Sequence, residues 1–309
     1  MTLMKKLYHF SLKKSSYFKL LDIIRQQWLS LPREIALELT NDCNLKCAKC
    51  PTYETNRKRG NFSSEVFEKL LSDIKSAPRG KTILTFTGAG EPSLHPEIIN
   101  YVQRAKLEKK IVEVKLVTNA LDLTPQLIDG LVSAKIDSIN VSLDTVDPKN
   151  YLKINRVDGL ERVLKNIDYL AANRGPTKIH LKVTLYRDDT KFISEIKNKF
   201  TEKFDSIRFT GLHNWLGLRG KQSSADGRGV CHYPFYQAQI LWDGQITLCC
   251  HDCMEGRINM GNIKEIGLSD YWRSKEMIKH RWAQINGSLD GYEVCKTCDA
   301  FKYDYEREL

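Results

Sequence analysis

The stretch Ile35-Ala-Leu-Glu-Leu39-Thr-Asn-Asp-Cys43-Asn-Leu-Lys-Cys47-Ala-Lys-Cys50-Pro51 places a short apolar strand just before three cysteines with intervals of three and two residues. Three thiolates can hold three irons of a four-iron, four-sulfur cluster and leave the fourth iron open. A cluster that binds and reduces a substrate needs such an open iron, whereas one that only passes electrons does not. In a barrel of alternating strands and helices, loops that follow strand C-termini build the site.

Downstream, short β-branched runs alternate with longer helical patterns. Strands are expected over 82–87, 111–117, 136–143, 179–186 and 206–210, and helices over 64–76, 96–107, 124–134, 159–173 and 191–204. With the opening run this makes about six βα units, an alternation that demands parallel strands with helices outside. Right-handed crossovers curl such a sheet into a full or partial barrel. The fold class expected is α/β, a partial (β/α)6 TIM-like barrel with a small C-terminal α+β unit.

The remaining six of nine cysteines, Cys231, Cys249, Cys250, Cys253, Cys295 and Cys298, all fall in the last quarter of the chain. An odd count, close pairs and no secretory pattern put metal ligation ahead of disulfides and a reducing, cytoplasmic setting ahead of secretion. Asp243-Gly244 suits a tight turn between strands over 238–242 and 245–250, and a helix is expected over 269–285. So small a unit buries little apolar surface, and a metal centre is a reasonable staple. The expected organisation is a basic amphipathic extension over 1–32, a core barrel over 33–210, a glycine- and serine-containing linker over 211–230 and a cluster-binding unit over 231–309.

The net charge of +10 invites a nucleic-acid partner, but the basic residues are spread along the chain, as on an ordinary solvated surface, and nucleic acid is not expected. Lys5, Lys6, Lys13, Lys14 and Lys19 alternate with Leu7, Tyr8, Phe10, Tyr17, Phe18 and Leu20. That pattern suits a membrane face, a partner, or packing on the chain's own core. No apolar run reaches the roughly 18 residues of a transmembrane span.

The cysteine triplet with Pro51 resembles the signature of the radical S-adenosylmethionine (SAM) superfamily, and further segments resemble that family's cofactor motifs in their usual order. Thr87-Gly-Ala-Gly90-Glu91-Pro92 is similar to the Gly-Gly-Glu-Pro segment that binds the SAM amino group, with Ala89 in place of the first glycine. The resemblance implies SAM contacts from Gly90 and Glu91, from Asn119 in Thr118-Asn119-Ala120, from Ser142 in Ser142-Leu143-Asp144, and from Arg156 toward the carboxylate. Lys49 stands where the family often has an aromatic residue over the adenine, so either its stem covers that ring less well or its ammonium points to solvent. His95 and His180 lie in segments better suited to capping or core roles.

Cys231, Cys249, Cys295 and Cys298 resemble the ligand set of a twitch domain, a shortened SPASM unit, which implies one auxiliary four-iron cluster. Cys250 and Cys253 are then left over, with Cys253 a possible substitute for one of the four. Spacing alone leaves a tetrahedral zinc site open. The ligand spacing resembles that of the butirosin-pathway aminocyclitol dehydrogenases of the family. What this implies is a radical SAM oxidoreductase that cleaves SAM to a 5′-deoxyadenosyl radical and oxidises a sugar or cyclitol alcohol, with the auxiliary cluster as electron acceptor. A flavodoxin or ferredoxin as reductant would be its partner. Peptide maturation and a metal-containing nucleic-acid-binding module are the alternatives. Arg219, Lys221 and Arg228 of the linker are candidates to meet an anionic group of the substrate.

Overall fold

The structure, a computed structural model, describes residues 29–186, 190–219 and 230–299. Six parallel strands form its centre: β1 (Glu34–Leu37), β2 (Thr82–Phe86), β3 (Ile111–Thr118), β4 (Ser138–Ser142), β5 (Lys178–Leu185) and β6 (Ser206–Gly211). The helices between them are α1 (Ser64–Ser76), α2 (Ile98–Leu107), α3 (Pro125–Ser133), α4 (Pro148–Asn155), α5 (Leu160–Asn173) and α6 (Thr190–Phe200). Each strand pairs with the next in sequence, and β6 ends the row unclosed, which makes the expected partial barrel.

Local chemistry explains the elements. Ser63 starts α1 by accepting the Val66 amide, and Val66, Phe67, Leu70 and Ile74 recur at helical spacing to form its buried face. Thr124 and Asp147 cap α3 and α4 in the same way, each with proline at the first helical position. The short α4 was not expected from periodicity, although Asp147-Pro148 is its start signal.

The tail departs further from expectation. Its strands are β7 (Gln237–Ile240), β8 (Gln245–Thr247) and β9 (Asn259–Asn262), followed by α8 (Leu268–Trp272) and α9 (Lys275–Asn286), with short α7 (Tyr233–Tyr236) before them and α10 (Glu293–Lys296) after. The hairpin is present, but β7 hydrogen-bonds to β1 in parallel, pairing Leu37 with Ile240. One nine-stranded sheet therefore runs through the described residues in the order β6-β5-β4-β3-β2-β1-β7-β8-β9. This explains why Ile35, Ala36 and Leu37 are all buried: β1 is a central strand, covered on both faces. The single helix expected over 269–285 is two, because Ser274 leaves the helical path to accept the Met277 amide and cap α9.

Residues 1–28 and 220–229, which include the basic amphipathic stretch, Lys221 and Arg228, lie outside the described residues. No described helix is long and apolar enough to cross a membrane.

Candidate functional site

The segments that the sequence singles out leave the C-terminal ends of successive parallel strands: the cysteine loop after β1, Gly88–Pro92 after β2, Asn119 after β3, Asp144 after β4 and Tyr186 after β5. The cysteine loop is held from below by the end of α4. The Lys46 and Ala48 amides donate to the carbonyls of Asn155 and Ile154 at 3.1 and 2.8 Å, and the Cys47 thiol lies 3.2 Å from Asn155 Oδ1. On the other side Cys50 Sγ is 3.0 Å from Thr52 Oγ1, which donates to the Ala89 carbonyl. Burial pushes the Cys43 and Cys47 thiols up to about 12, and their nearness to Cys50 and to each other adds to the rise. Cationic iron reverses that balance by binding thiolate.

Gly90 is required by a close approach of backbone to backbone. A Cβ there would lie 2.3 Å from the Asp42 carbonyl oxygen and 2.4 Å from that of Thr40, while the Glu91 amide donates to Asp42 at 2.7 Å. The neighbour that Gly90 admits is the cysteine loop itself. Gly90→Ala is expected to cost about 1–3 kcal/mol of stability through overpacking, measured by urea denaturation; unchanged stability would show that the loop yields freely.

Glu91 is fully buried. Its Oε1 accepts from Thr118 Oγ1 at 2.7 Å and the Ser93 amide at 3.1 Å, and its Oε2 from the Asn119 amide at 2.8 Å. Burial raises its pKa against the pull of these donors. Asn119 in turn donates to Asn44 Oδ1 at 2.7 Å and lies 3.9 Å from Cys43 Sγ. Glu91 thus fixes the loop after β3 against the loop that carries the cysteines. Ala89, in the place of a glycine, is buried and donates its amide to Glu38 at 3.0 Å.

Lys49 does not point to solvent. Its ammonium pairs with Asp144 and donates to Thr184 Oγ1 at 2.9 Å, while Asp144 also accepts the Thr184 amide. Asp144 lines a cavity of about 570 Å³ together with Thr145, Asn150, Lys153, Tyr186 and Glu195. Ser142 ends β4, two residues before Asp144. Arg156 is exposed at the end of α4, in a left-handed conformation with φ 57°, and its charge reaches Glu54. His95 and His180 are held by other contacts, with the Phe62 carbonyl and with Ser206.

A second centre lies in the tail. Cys231, Cys249, Cys295 and Cys298 line one small enclosed cavity together with His251 and His280. Burial pushes the Cys249 thiol well above its ordinary value, with Cys250, Cys295 and Cys231 contributing. Cys253 faces elsewhere: it is buried with Ala89, Leu241 and Met254, against Cys50 and Trp215. The alternative in which Cys253 replaces one of the four is therefore corrected, because its side chain packs toward the first loop.

Residues 213–219 join the two centres. Trp215 Nε1 donates to the Lys49 carbonyl at 2.9 Å, and Asn214 Nδ2 donates to the Thr297 carbonyl at 2.6 Å. The His213 ring lies 4.3 Å from that of Trp215 and 4.5 Å from that of His251, at the wall of the second cavity. Burial, aided by Lys182 and Lys49, lowers His213 to about 3, so the ring is neutral. Arg219, a candidate for meeting an anionic group, pairs with Glu54 and donates to the Cys50 carbonyl at 3.4 Å.

The model of the radical SAM superfamily matches residues 37–191, and that of the SPASM iron–sulfur cluster-binding domain matches residues 231–299. The chain belongs to the radical SAM superfamily. A GTP 3′,8-cyclase of Lactiplantibacillus plantarum is 31% identical over 75% of this chain and 68% of its own length. The tungsten-containing aldehyde ferredoxin oxidoreductase cofactor-modifying protein of Pyrococcus furiosus is 22% identical over 85% of this chain and 86% of its own. Against several other GTP cyclases this radical SAM chain spans about half of their length or less. Among solved structures, BtrN in complex with AdoMet and 2-DOIA shares the fold with a TM-score of 0.63 at 19% identity, covering 87% of this chain and 93% of that one.

A radical SAM enzyme uses a four-iron cluster and SAM, and its SPASM domain binds auxiliary iron–sulfur. The donor sets suit both. Three partly buried thiols share one loop, and four cysteines line one cavity. Among the described residues no three His, Cys, Asp or Glu side chains close on a single ion's position. We assign Cys43, Cys47 and Cys50 to the first cluster and Cys231, Cys249, Cys295 and Cys298 to the second as proposals. The residues missed from sequence are Glu38, Arg57, His213 and Trp215, whose partners are distant in the chain.

Proposed function

We propose that the chain is an oxidoreductase that converts a secondary alcohol of a small polar molecule, a sugar or cyclitol, into a ketone. The observation that carries this reading is the bridge at 213–219, which places the second cysteine centre within two ring contacts of the Lys49 loop. When bound, SAM and the reduced first cluster supply a 5′-deoxyadenosyl radical, and the second cluster supplies a one-electron acceptor. Removal of one hydrogen atom, one proton and one electron from the carbinol leaves the ketone, so the two-electron balance closes.

This chain's residues set the conditions. The cavity at the ends of β4 and β5 falls within the range of about 300–1,000 Å³ typical of small-molecule sites. Its lining offers Asp144 and Glu195 as acceptors, Lys153 as donor, and Thr145 and Asn150 for both, which suits hydroxyl and amino substituents better than an apolar ligand. Gly90, Glu91, Asn119, Ser142 and Arg156 are the proposed SAM contacts. A flavodoxin or ferredoxin would provide the reducing electron.

Anaerobic turnover with dithionite, SAM and a panel of polyols, aminocyclitols, peptides and GTP tests the proposal. The expected result is one 5′-deoxyadenosine per ketone with a polyol or cyclitol. Stimulation by GTP or a peptide, without net two-electron oxidation, would replace it. Cys295→Ala is expected to retain SAM cleavage while losing nearly all ketone formation, measured as the ratio of the two products.

A further inference from the structure

Arg281, on α9, is completely buried, yet its Nη1 and Nη2 have no hydrogen-bond partner. Its one polar contact is from Nε to the Pro234 carbonyl at 2.8 Å. The guanidinium carbon lies 4.2 Å from the centre of the Trp272 ring, a cation–π contact that offsets part of the desolvation cost. Among the described residues no carboxylate pairs with it. Two more donors beside it, Tyr271 Oη and Trp272 Nε1, are buried and equally without a partner. Among the described residues, a core that gathers four orphaned donor atoms, two of them on a buried cation, lacks an anion, and an uncompensated buried charge is costly.

The position shows where the anion belongs. Pro234, the acceptor of Nε, lines the four-cysteine cavity, and so does His280, the residue before Arg281. The Arg281 side chain thus bonds the backbone of a residue in that cavity's wall. A four-iron cluster held by four thiolates has net negative charge, which grows by one on reduction. Its potential depends on net charge, hydrogen bonds to sulfur and burial.

We propose that Arg281 is the internal counter-charge of the auxiliary cluster, a positioning residue that stabilises the loaded C-terminal unit and raises the cluster's reduction potential. Because reduction deepens the negative charge, the fixed cation favours the reduced state and makes the centre a better electron acceptor. The proposal rests on the four-cysteine assignment. It does not rest on the alcohol-oxidising activity, since its test uses no substrate.

The test compares Arg281→Met and Arg281→Lys in the full chain carrying Cys43→Ala, Cys47→Ala and Cys50→Ala, anaerobically reconstituted so that the remaining cluster signal reports on the second centre. Redox titration followed by electron paramagnetic resonance is expected to give a more negative midpoint in Arg281→Met and a near-unchanged one in Arg281→Lys. Thermal unfolding supplies the second readout. Arg281→Met is expected to be at least as stable as its parent without iron and less stable when loaded, an inversion that a packing role would not produce. An unchanged midpoint in Arg281→Met, or equal destabilisation with and without iron, would overturn the proposal. Should Arg281→Met not fold, Arg281→Gln, which keeps amide donors without the charge, reads the same midpoint with the same two outcomes.

Discussion

Cys50→Ala is expected to abolish SAM cleavage, with no 5′-deoxyadenosine above background and a loss of about four irons per chain. Three thiolates anchor three of the four irons and leave one open, so removing one leaves the cube with two protein anchors. Cys50 is also the residue through which the loop meets Thr52, the Ala89 carbonyl and the Arg219 guanidinium. The same loss is expected for Cys43→Ala and Cys47→Ala, whose thiols rest beside Asn119 and Asn155. Iron and sulfide analysis of reconstituted protein, paired with chromatographic assay of deoxyadenosine, makes the measurement. Retention of cleavage by any of the three variants would remove that cysteine from the ligand set.

Glu38→Ala is expected to destabilise the protein by about 3–5 kcal/mol, the range for breaking a buried ion pair from one side. Such a loss is a large part of the roughly 5–15 kcal/mol that holds a typical domain folded. Glu38 is wholly buried and takes both guanidinium nitrogens of Arg57, at 3.0 and 2.6 Å. Its oxygens also accept the amides of Ala89 and Trp242 at 3.0 and 3.2 Å, and Arg57 reaches the Cys253 carbonyl at 2.5 Å. One carboxylate thereby ties the strand that precedes the cysteine loop, the loop after β2 and the tail. Denaturant titration of the iron-free chain reads the effect, and the Glu38→Leu, Arg57→Met pair is expected to recover part of it because no charge is left buried. A loss below about 1 kcal/mol in Glu38→Ala would show the pair to be worth no more than a surface one.

The barrel was legible in the sequence because period-2 and period-3.6 patterns are local, and its strand and helix limits follow them closely. The triplet at Cys43 was legible for the same reason: its spacing is contained in eight residues. Short elements such as α4 and β9, of eight and four residues, gave only a cap signal or none. The junction of β7 with β1 was invisible, since nothing in Gln237–Ile240 names its partner. Lys49 shows how a local rule fails: a lysine in an exposed-looking loop is drawn inward by Asp144, a residue brought near only when β4 takes its place beside β5. Arg219 fails in the opposite sense, since Glu54 claims the charge that looked available to a ligand.

The pairing of Glu34–Leu37 with Gln237–Ile240 bears on how the protein is made. As a ribosome extends the chain, the three cysteines of the first loop emerge well before Gln237–Ile240, and the second edge of the strand that precedes them stays bare until those residues follow. Bare strand edges attract other chains, and contacts so distant in sequence form late. A nascent chain stalled between Cys50 and Gln237 would therefore expose both an unprotected strand edge and three thiols.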